Sequence, residues 1–240
     1  MKKLSLLLIA MALAATGAFA ATEGTDNASN YGGTWTNGSN GGSGFGAWAI
    51  TDGDGGHYIG ATGLGSNTFG LFNTFTTTTT DAIRPFMGAL APGQTFSIDL
   101  GFSPFAAGGS IGINLRSGTN EVITLSTTGS GDWILNDGGS DFSAGATATA
   151  NTPFSFSFTY NGGSSYSFSL TGSAGGVNFT SSNAGISSID NLRIFNFNQG
   201  PGANLGFDNL AIVPEPSSFA LLAGPALLGA WFFLRRRRQA

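Results

Sequence analysis

The chain contains no cysteine. That excludes a disulfide framework, a thiolate metal centre and a cysteine nucleophile, and leaves the fold to its apolar core. Charge is scarce too. Nine Lys and Arg and thirteen Asp and Glu make up 9% of 240 residues, against about a quarter in an ordinary soluble domain. A single histidine, His57, is present. It supplies too few nitrogen ligands for zinc, so it reads as a structural or surface residue. Glycine (39) and phenylalanine (21) are abundant. An aromatic-rich, charge-poor chain is the reverse of a disordered one, and the glycines show no three-residue period, which excludes collagen. The length allows one or two domains with a real core.

The charges are unevenly placed. Lys2 and Lys3 lie at the N-terminus and Arg235, Arg236, Arg237 and Arg238 near the C-terminus, leaving Arg84, Arg116 and Arg193 between. Twelve of the thirteen acids fall within residues 21–213, which carry a net charge of −9. Such a surface repels phosphate and has no Lys/Arg stripe, so nucleic acid is not an expected partner. Its coat must be Thr, Ser, Asn and Gly, as is common on secreted bacterial β proteins.

The two ends read as targeting segments. Residues 1–20 combine Lys2 and Lys3 with an apolar run from Leu4 to Ala15 and small residues at Ala18 and Ala20, the pattern of a secretory signal peptide cut after Ala20. The alternative is an N-terminal anchor, for which the run is short. At the other end, Phe219 to Leu234 is an uncharged apolar stretch of 16 residues. As a helix it spans about 24 Å, slightly less than a hydrocarbon core of ~30 Å. The four arginines after it stop transfer and keep their side cytoplasmic, which puts residues 21–213 outside the inner membrane. A permanent single-pass anchor would account for the run and the arginines but not for Pro214-Glu215-Pro216 ahead of them. The two prolines fix φ and keep Val213 and Glu215 extended, where a protease can grip the segment.

The order Pro-Glu-Pro, short apolar helix, arginine cluster resembles the PEP-CTERM sorting signal. The resemblance covers about 28 of the 240 residues. It implies recognition of Pro214, Glu215 and Pro216 by an integral-membrane exosortase in a Gram-negative bacterium, with Arg235–Arg238 as the stop-transfer block. The tail would be removed and the protein released or transferred outward.

Between the ends, alternation dominates and no amphipathic helix is convincing. Phe96, Ile98, Leu100 and Phe102 alternate with polar or small residues, as do Phe154, Phe156, Phe158 and Tyr160. Asn161-Gly162-Gly163 then turns the chain into Tyr166, Phe168 and Leu170, which predicts an antiparallel hairpin with a loop of about four residues. Further strands are expected at Ala47–Thr51, Tyr58–Thr62, Ser110–Leu115, Glu121–Ser126, Trp133–Asn136 and Val177–Ser181. One aromatic face and one hydroxyl face, with turns at roughly ten-residue spacing, predict an all-β antiparallel sandwich. Ile189-Asp190-Asn191-Leu192 is echoed 18 residues later by Phe207-Asp208-Asn209-Leu210, which reads as two strands with an Asp-Asn pair at each start. A last strand of this form before a sorting tail, together with the jelly-roll pattern, resembles a concanavalin-like lectin or glucanase sandwich. The opening run with Trp35 and Trp48 resembles the start of a recurring exported-protein family of undefined activity.

Candidate chemistry is thin. Glycoside hydrolysis needs two carboxylates in set geometry. The exported part has only Glu23 and Glu121 as glutamates and lacks the Glu-x-Asp-x-x-Glu pattern of the jelly-roll glucanases, with Asp99 and Asp190 as conceivable substitutes. Asp52 and Asp54, two residues apart beside glycines, resemble the start of a calcium loop, without the third acid or closing Glu. Asp-Gly is equally a hairpin-turn signal. Asp137-Gly138-Gly139-Ser140-Asp141 forms a second acidic turn. Tyr31, Trp35, Trp48 and Tyr58 are candidates to stack on sugar rings, although Trp48, in an alternating strand, reads as core. The chain is therefore expected to consist of a signal peptide (1–20), a β-sandwich (21–213) and a sorting tail (214–240: motif 214–216, transmembrane helix 219–234, basic block 235–238). It is read as a non-enzymatic surface or extracellular-matrix protein, transiently membrane-anchored and associated with exopolysaccharide. A carbohydrate-binding module on the same sandwich is the alternative reading and a glycoside hydrolase the third. No cofactor is required; calcium is the one candidate.

Overall fold

The computed structural model describes residues 23–74, 78–104, 108–128, 131–139, 141–172, 175–182, 186, 188–197 and 202–214. The signal peptide with Ala18 and Ala20, the motif residues Glu215 and Pro216, the apolar run 219–234 and Arg235–Arg238 lie outside them. No helix among the described residues is long and apolar enough to cross a membrane.

Fifteen strands are described: β1 (Gly24–Asp26), β2 (Ala49–Thr51), β3 (Gly55–Gly60), β4 (Thr68–Asn73), β5 (Thr79–Pro85), β6 (Thr95–Phe102), β7 (Ser110–Ser117), β8 (Asn120–Thr127), β9 (Asp132–Asn136), β10 (Asp141–Thr147), β11 (Phe154–Gly162), β12 (Ser165–Gly172), β13 (Gly175–Ser182), β14 (Asn191–Phe197) and β15 (Asn204–Val213). They form two antiparallel sheets. Sheet I runs β13-β12-β11-β6-β15-β4-β3, with β1 also paired to β15, and sheet II runs β10-β9-β8-β7-β14-β5-β2. A 3-10 turn at Ala28–Tyr31, with Asn27 accepting from the Ser29 amide, is the one helical element among the described residues.

The expected alternation builds the core. Phe96, Ile98, Leu100 and Phe102 of β6 face inward beside Phe154, Phe156 and Phe158 of β11 and Tyr166, Phe168 and Leu170 of β12. Ile111, Ile113, Leu115, Ile123, Leu125, Trp133 and Leu135 answer from sheet II. Burying an aliphatic or aromatic side chain contributes about 1.5–3 kcal/mol, so this double layer can hold the fold without disulfides. The β11–β12 hairpin pairs Phe156 with Leu170, Phe158 with Phe168 and Tyr160 with Tyr166, as the sequence predicts. Its loop is shorter than expected. Pairing continues through Gly162, because Gly162 and Gly163 take φ of 97° and 61° and close the turn.

The repeated Asp-Asn pairs do different jobs. Asp190-Asn191 opens β14, as expected, but Asp208-Asn209 lies in the middle of β15 rather than at its start, and the two strands belong to opposite sheets. In β15 the register against β6 shifts between Asp208, opposite Asp99, and Ala211, opposite Ser97. Asn209 adopts φ of 53° at this bulge. The extra residue reverses the in–out phase, so that Leu205 and Phe207 before the bulge and Leu210 and Ile212 after it all face the core. The first half of β15 pairs with β4 and the second half with β1, while β6 runs along its other edge.

Between β1 and β2 the chain folds Trp35, Phe45 and Trp48 into the core, where Trp35 meets Trp48, Phe69 and Phe207 at centroid distances of 4.9–5.6 Å. Among them sits a fully buried ion pair, Arg84 of β5 to Asp26 of β1 at 3.1 Å. It ties sheet II to sheet I.

Candidate functional site

The outward side chains of sheet II form a shallow groove of about 280 Å³. Four strands contribute. In β14, Leu192 and Ile194 point inward, so Arg193, Phe195 and Phe197 stand on the outer face. The sheet order places β5 on one side of β14 and β7 then β8 on the other, which brings Asp81, Asn114, Thr124 and Glu121 around Arg193. The guanidinium donates through Nη2 to Asp81 Oδ2 at 3.1 Å, and through Nη1 to Glu121 Oε1 at 3.0 Å and Asn114 Oδ1 at 3.4 Å. Asn114 Nδ2 in turn donates to Thr124 Oγ1 at 2.7 Å. The guanidinium carbon stands 5.3 Å from the Phe195 ring centroid, and Phe197 exposes 40% of its surface at the groove's end. Thr79 and Ser110 add hydroxyls.

Charge decides what this surface can hold. Arg193 is matched by two carboxylates, so the groove carries a net single negative charge within a domain of −9. It offers carboxylate and hydroxyl oxygens as acceptors, a held guanidinium as donor and an exposed aromatic ring. Uncharged polyhydroxyl chains suit that set, because their hydroxyls donate to the carboxylates and their C–H faces lie on the ring.

The carboxylates nominated from sequence are not brought together. Glu121 lies in the groove. Asp99 lies on the outer face of the other sheet, accepting from Ser155 Oγ at 2.5 Å and Asn209 Nδ2 at 2.9 Å. Asp190 holds the β7–β8 turn by accepting from the Gly118 amide at 2.9 Å. Glu23 is exposed just before β1. The carboxylate that does share the groove with Glu121 is Asp81, and both bind the same arginine. Sequence reading missed Asp81, Asn114, Arg193 and Phe197. The available signal was the strand Arg193-Ile194-Phe195-Asn196-Phe197, which has large apolar residues on both faces.

Asp52 and Asp54 flank Gly53 in the turn from β2 to β3, which carries the chain from sheet II to sheet I rather than closing a hairpin. Gly53 takes φ of 55°. The Asp52 carboxylate faces His57 Nδ1 at 2.6 Å, its carbonyl accepts from Thr80 Oγ1 at 2.6 Å, and the Asp54 carbonyl accepts from Thr74 Oγ1. Among the described residues no three His, Cys, Asp or Glu side chains converge. One Asp52 carboxylate oxygen and the two backbone carbonyls are thus engaged within the fold. In the second acidic turn, Asp137 accepts from the Tyr166 hydroxyl at 2.8 Å and Asp141 from Asn136 Nδ2 at 2.6 Å.

Of the aromatics proposed for sugar stacking, Trp35 and Trp48 are core residues, exposed by 3% and 1%. Tyr31 is engaged as well: its hydroxyl donates to Asp26 Oδ2 at 2.6 Å and accepts from Trp48 Nε1 at 2.9 Å. Burial, reinforced by the hydrogen bond to Asp26, pushes its pKa up to about 12. Tyr58 lies on the outer face of sheet I, its pKa raised by burial. Trp35 and Trp48, with Tyr31 packed against them, serve the interior because rings of that size contribute most when buried.

No family model matches the chain, and no curated protein matches it. Similar solved structures include a sialidase, 11% identical, with 70% of this chain matched at a TM-score of 0.55. The match spans only 17% of the sialidase chain. An alginate lyase from Corynebacterium sp. is 11% identical over 80% of this chain and 94% of its own at a TM-score of 0.49. The Caenorhabditis elegans galectin LEC-6 is 19% identical over 59% of this chain and 94% of its own at 0.35. The chain is an all-β antiparallel two-sheet sandwich, jelly-roll-like, and the likeness extends to the fold alone.

Proposed function

We propose that this chain is an exported surface or extracellular-matrix protein of a Gram-negative bacterium, without catalytic activity, that associates with exopolysaccharide. Export uses residues 1–20. Residues 219–234 hold the chain in the membrane until an exosortase acts at Pro214-Glu215-Pro216. The observation that carries the reading is the tripartite tail in its order. The fold is compatible with it: β15 ends at Val213, an exposed residue, and Pro214, which has no amide hydrogen, comes directly after it. The chain therefore reaches Pro214 from an exposed strand end. Expression with and without the exosortase tests the reading. Loss of residues 217–240 from the protein only when the exosortase is present is expected, and retention in both strains overturns it.

The groove on sheet II favours the second reading, a lectin-like carbohydrate-binding module, as the means of association. Its net negative charge selects neutral or amino-bearing glycans over uronic-acid polymers. Pull-down on the host's own polysaccharide and on neutral and acidic reference polymers tests this. Retention on a neutral polymer that falls roughly tenfold or more in Arg193→Ala, the effect of losing charge-assisted hydrogen bonds, supports it. Retention unchanged by Arg193→Ala, or confined to acidic polymers, overturns the groove assignment. A glycoside hydrolase is the least supported reading, since the nominated carboxylates stand apart.

A further inference from the structure

We propose that the signal peptide, while it remains attached, covers the Pro214-Glu215-Pro216 motif, so that cleavage after Ala20 must precede removal of the tail. This rests on the export and sorting reading above, and the pairing of the first strand with the last carries it. β1 runs antiparallel to β15, with Gly24 opposite Ile212, Thr25 opposite Ala211 and Asp26 opposite Leu210. The start of β1 therefore lies beside the end of β15, about 4.8 Å away across the sheet. The point where the chain enters the sandwich and the point where it leaves for the motif are neighbours.

The entry point is fixed. The Thr25 amide donates to the Ser43 carbonyl at 3.0 Å, and the Ser43 amide to the Thr25 carbonyl at 2.9 Å, so β1 is bonded along both edges. Gly44, at φ of 74°, packs so closely that a Cβ there would stand 2.1 Å from the Glu23 carbonyl oxygen. Asp26 adds the buried pair with Arg84.

Chain length does the rest. Only residues 21–23 lie between the cleavage point and Gly24, a reach of about 11 Å at most. Residues 214–218 span at most about 18 Å before the apolar run begins. Both apolar segments keep their basic residues on the cytoplasmic side, Lys2 and Lys3 in one and Arg235–Arg238 in the other. In the uncut chain the two segments therefore enter the membrane side by side from one end of the sandwich. Anchorage does not distinguish the uncut chain, because the tail already holds it in the membrane. What the signal peptide adds is a second stretch of chain against the motif, on a flank that a gripping protease needs open. Hydrolysis of the Ala20–Ala21 amide removes it: water gives its hydroxyl to the Ala20 carbonyl carbon and a hydrogen to the Ala21 nitrogen. Residues 21–23 then become a short free end that can move aside.

The full chain is expressed in a strain carrying the exosortase, and loss of the tail is read by mass. Ala18→Leu with Ala20→Leu removes the small residues that signal-peptide cleavage needs. This variant should keep its tail while wild type loses it. A flexible Gly/Ser spacer of about twenty residues, inserted between Thr22 and Glu23 of the variant, lets the two stretches part by about 25 Å. It should restore tail removal with the signal peptide still attached. Thr25→Cys with Ala211→Cys, a register pair on the outer face of a chain without other cysteines, reports whether β1 is in place. The pair should cross-link in the mature and the uncut chain alike. Tail removal from the uncut variant without a spacer overturns the proposal and leaves the sorting reading intact. So does a spacer that restores nothing. An uncut chain that keeps its tail and fails to cross-link overturns it too, since the signal peptide then acts by keeping β1 from docking. A wild-type chain that keeps its tail overturns the sorting reading itself, and this inference with it.

Discussion

Asp26, Tyr31 and Arg84 form the most consequential residue cluster in the interior. Arg84 stacks its guanidinium 4.9 Å from the Trp48 ring and donates to the backbone carbonyls of Ser39 and Gly41 at 3.2 and 2.7 Å, besides pairing with Asp26. Burial lowers its pKa, with Tyr31 and Asp26 opposing that shift. Removing one partner strands a buried charge, so Asp26→Asn or Arg84→Met alone should cost about 3–5 kcal/mol. The double replacement Asp26→Leu, Arg84→Met should cost clearly less than the sum. Urea unfolding of the three variants measures this. Tyr31 adds a pH dependence. Its pKa of about 12 in the fold exceeds the ordinary 10, so its contribution is full below pH 10 and is lost as pH rises through 12. Wild-type stability should therefore fall between pH 10 and 12. Tyr31→Phe should be weaker by roughly 1–3 kcal/mol at pH 8, having lost its hydrogen bonds, yet show a shallower alkaline decline. The decline should persist in part, because Tyr58 is raised as well. A slope equal to that of wild type would show that Tyr31 is not the titrating group.

At the scale of elements, the bulge in β15 and the glycines beside it set the phase and depth of sheet I. Asn209 tolerates its positive φ and uses its side chain on Asp99. Asn209→Val should destabilise by about 1–3 kcal/mol through backbone strain, and Asn209→Gly by less, since glycine accepts the conformation and loses only the hydrogen bond. Gly206 lies under the β3–β4 connection, where a Cβ would come within 1.9 Å of Thr62 Oγ1. Gly206→Ala must therefore displace that connection, and a paired Thr62→Ala should recover part of the loss. Thermal unfolding checks both. These features were only partly legible. Strict alternation in β6, β11 and β12 announced those strands. β4 escaped because Phe69, Gly70 and Leu71 are all buried in the middle of sheet I. β10 escaped because Ala144 and Ala146 are its inward residues, too small to mark a face. The second Asp-Asn pair reads as a strand start because the sequence does not display a bulge.

For the whole molecule, one core joins both sheets, and the groove depends on the order in which strands enter them. Asp81, Asn114, Glu121 and Arg193 are scattered along the sequence and meet because β14 inserts between β5 and β7. No local pattern records that insertion, which is why the groove is not legible in the sequence. The sandwich should fold independently of the C-terminal tail. A chain ending at Val213 should melt within about 2–4 °C of one carrying the tail, a span equivalent to ~1 kcal/mol in a domain of this size. A chain ending at Ala203, which lacks β15, should not fold, as circular dichroism would show.

That strand also has a mechanical meaning. β15 is flanked by β6 on one side and by β4 and then β1 on the other, and its last residue is joined directly to the tail. Tension applied through the tail pulls β15 along its own axis. The hydrogen bonds on both edges are then loaded together, in shear, rather than parting one after another as they would in a peeled edge strand. Tethered through this end, the sandwich would bear load on one of its most firmly held strands.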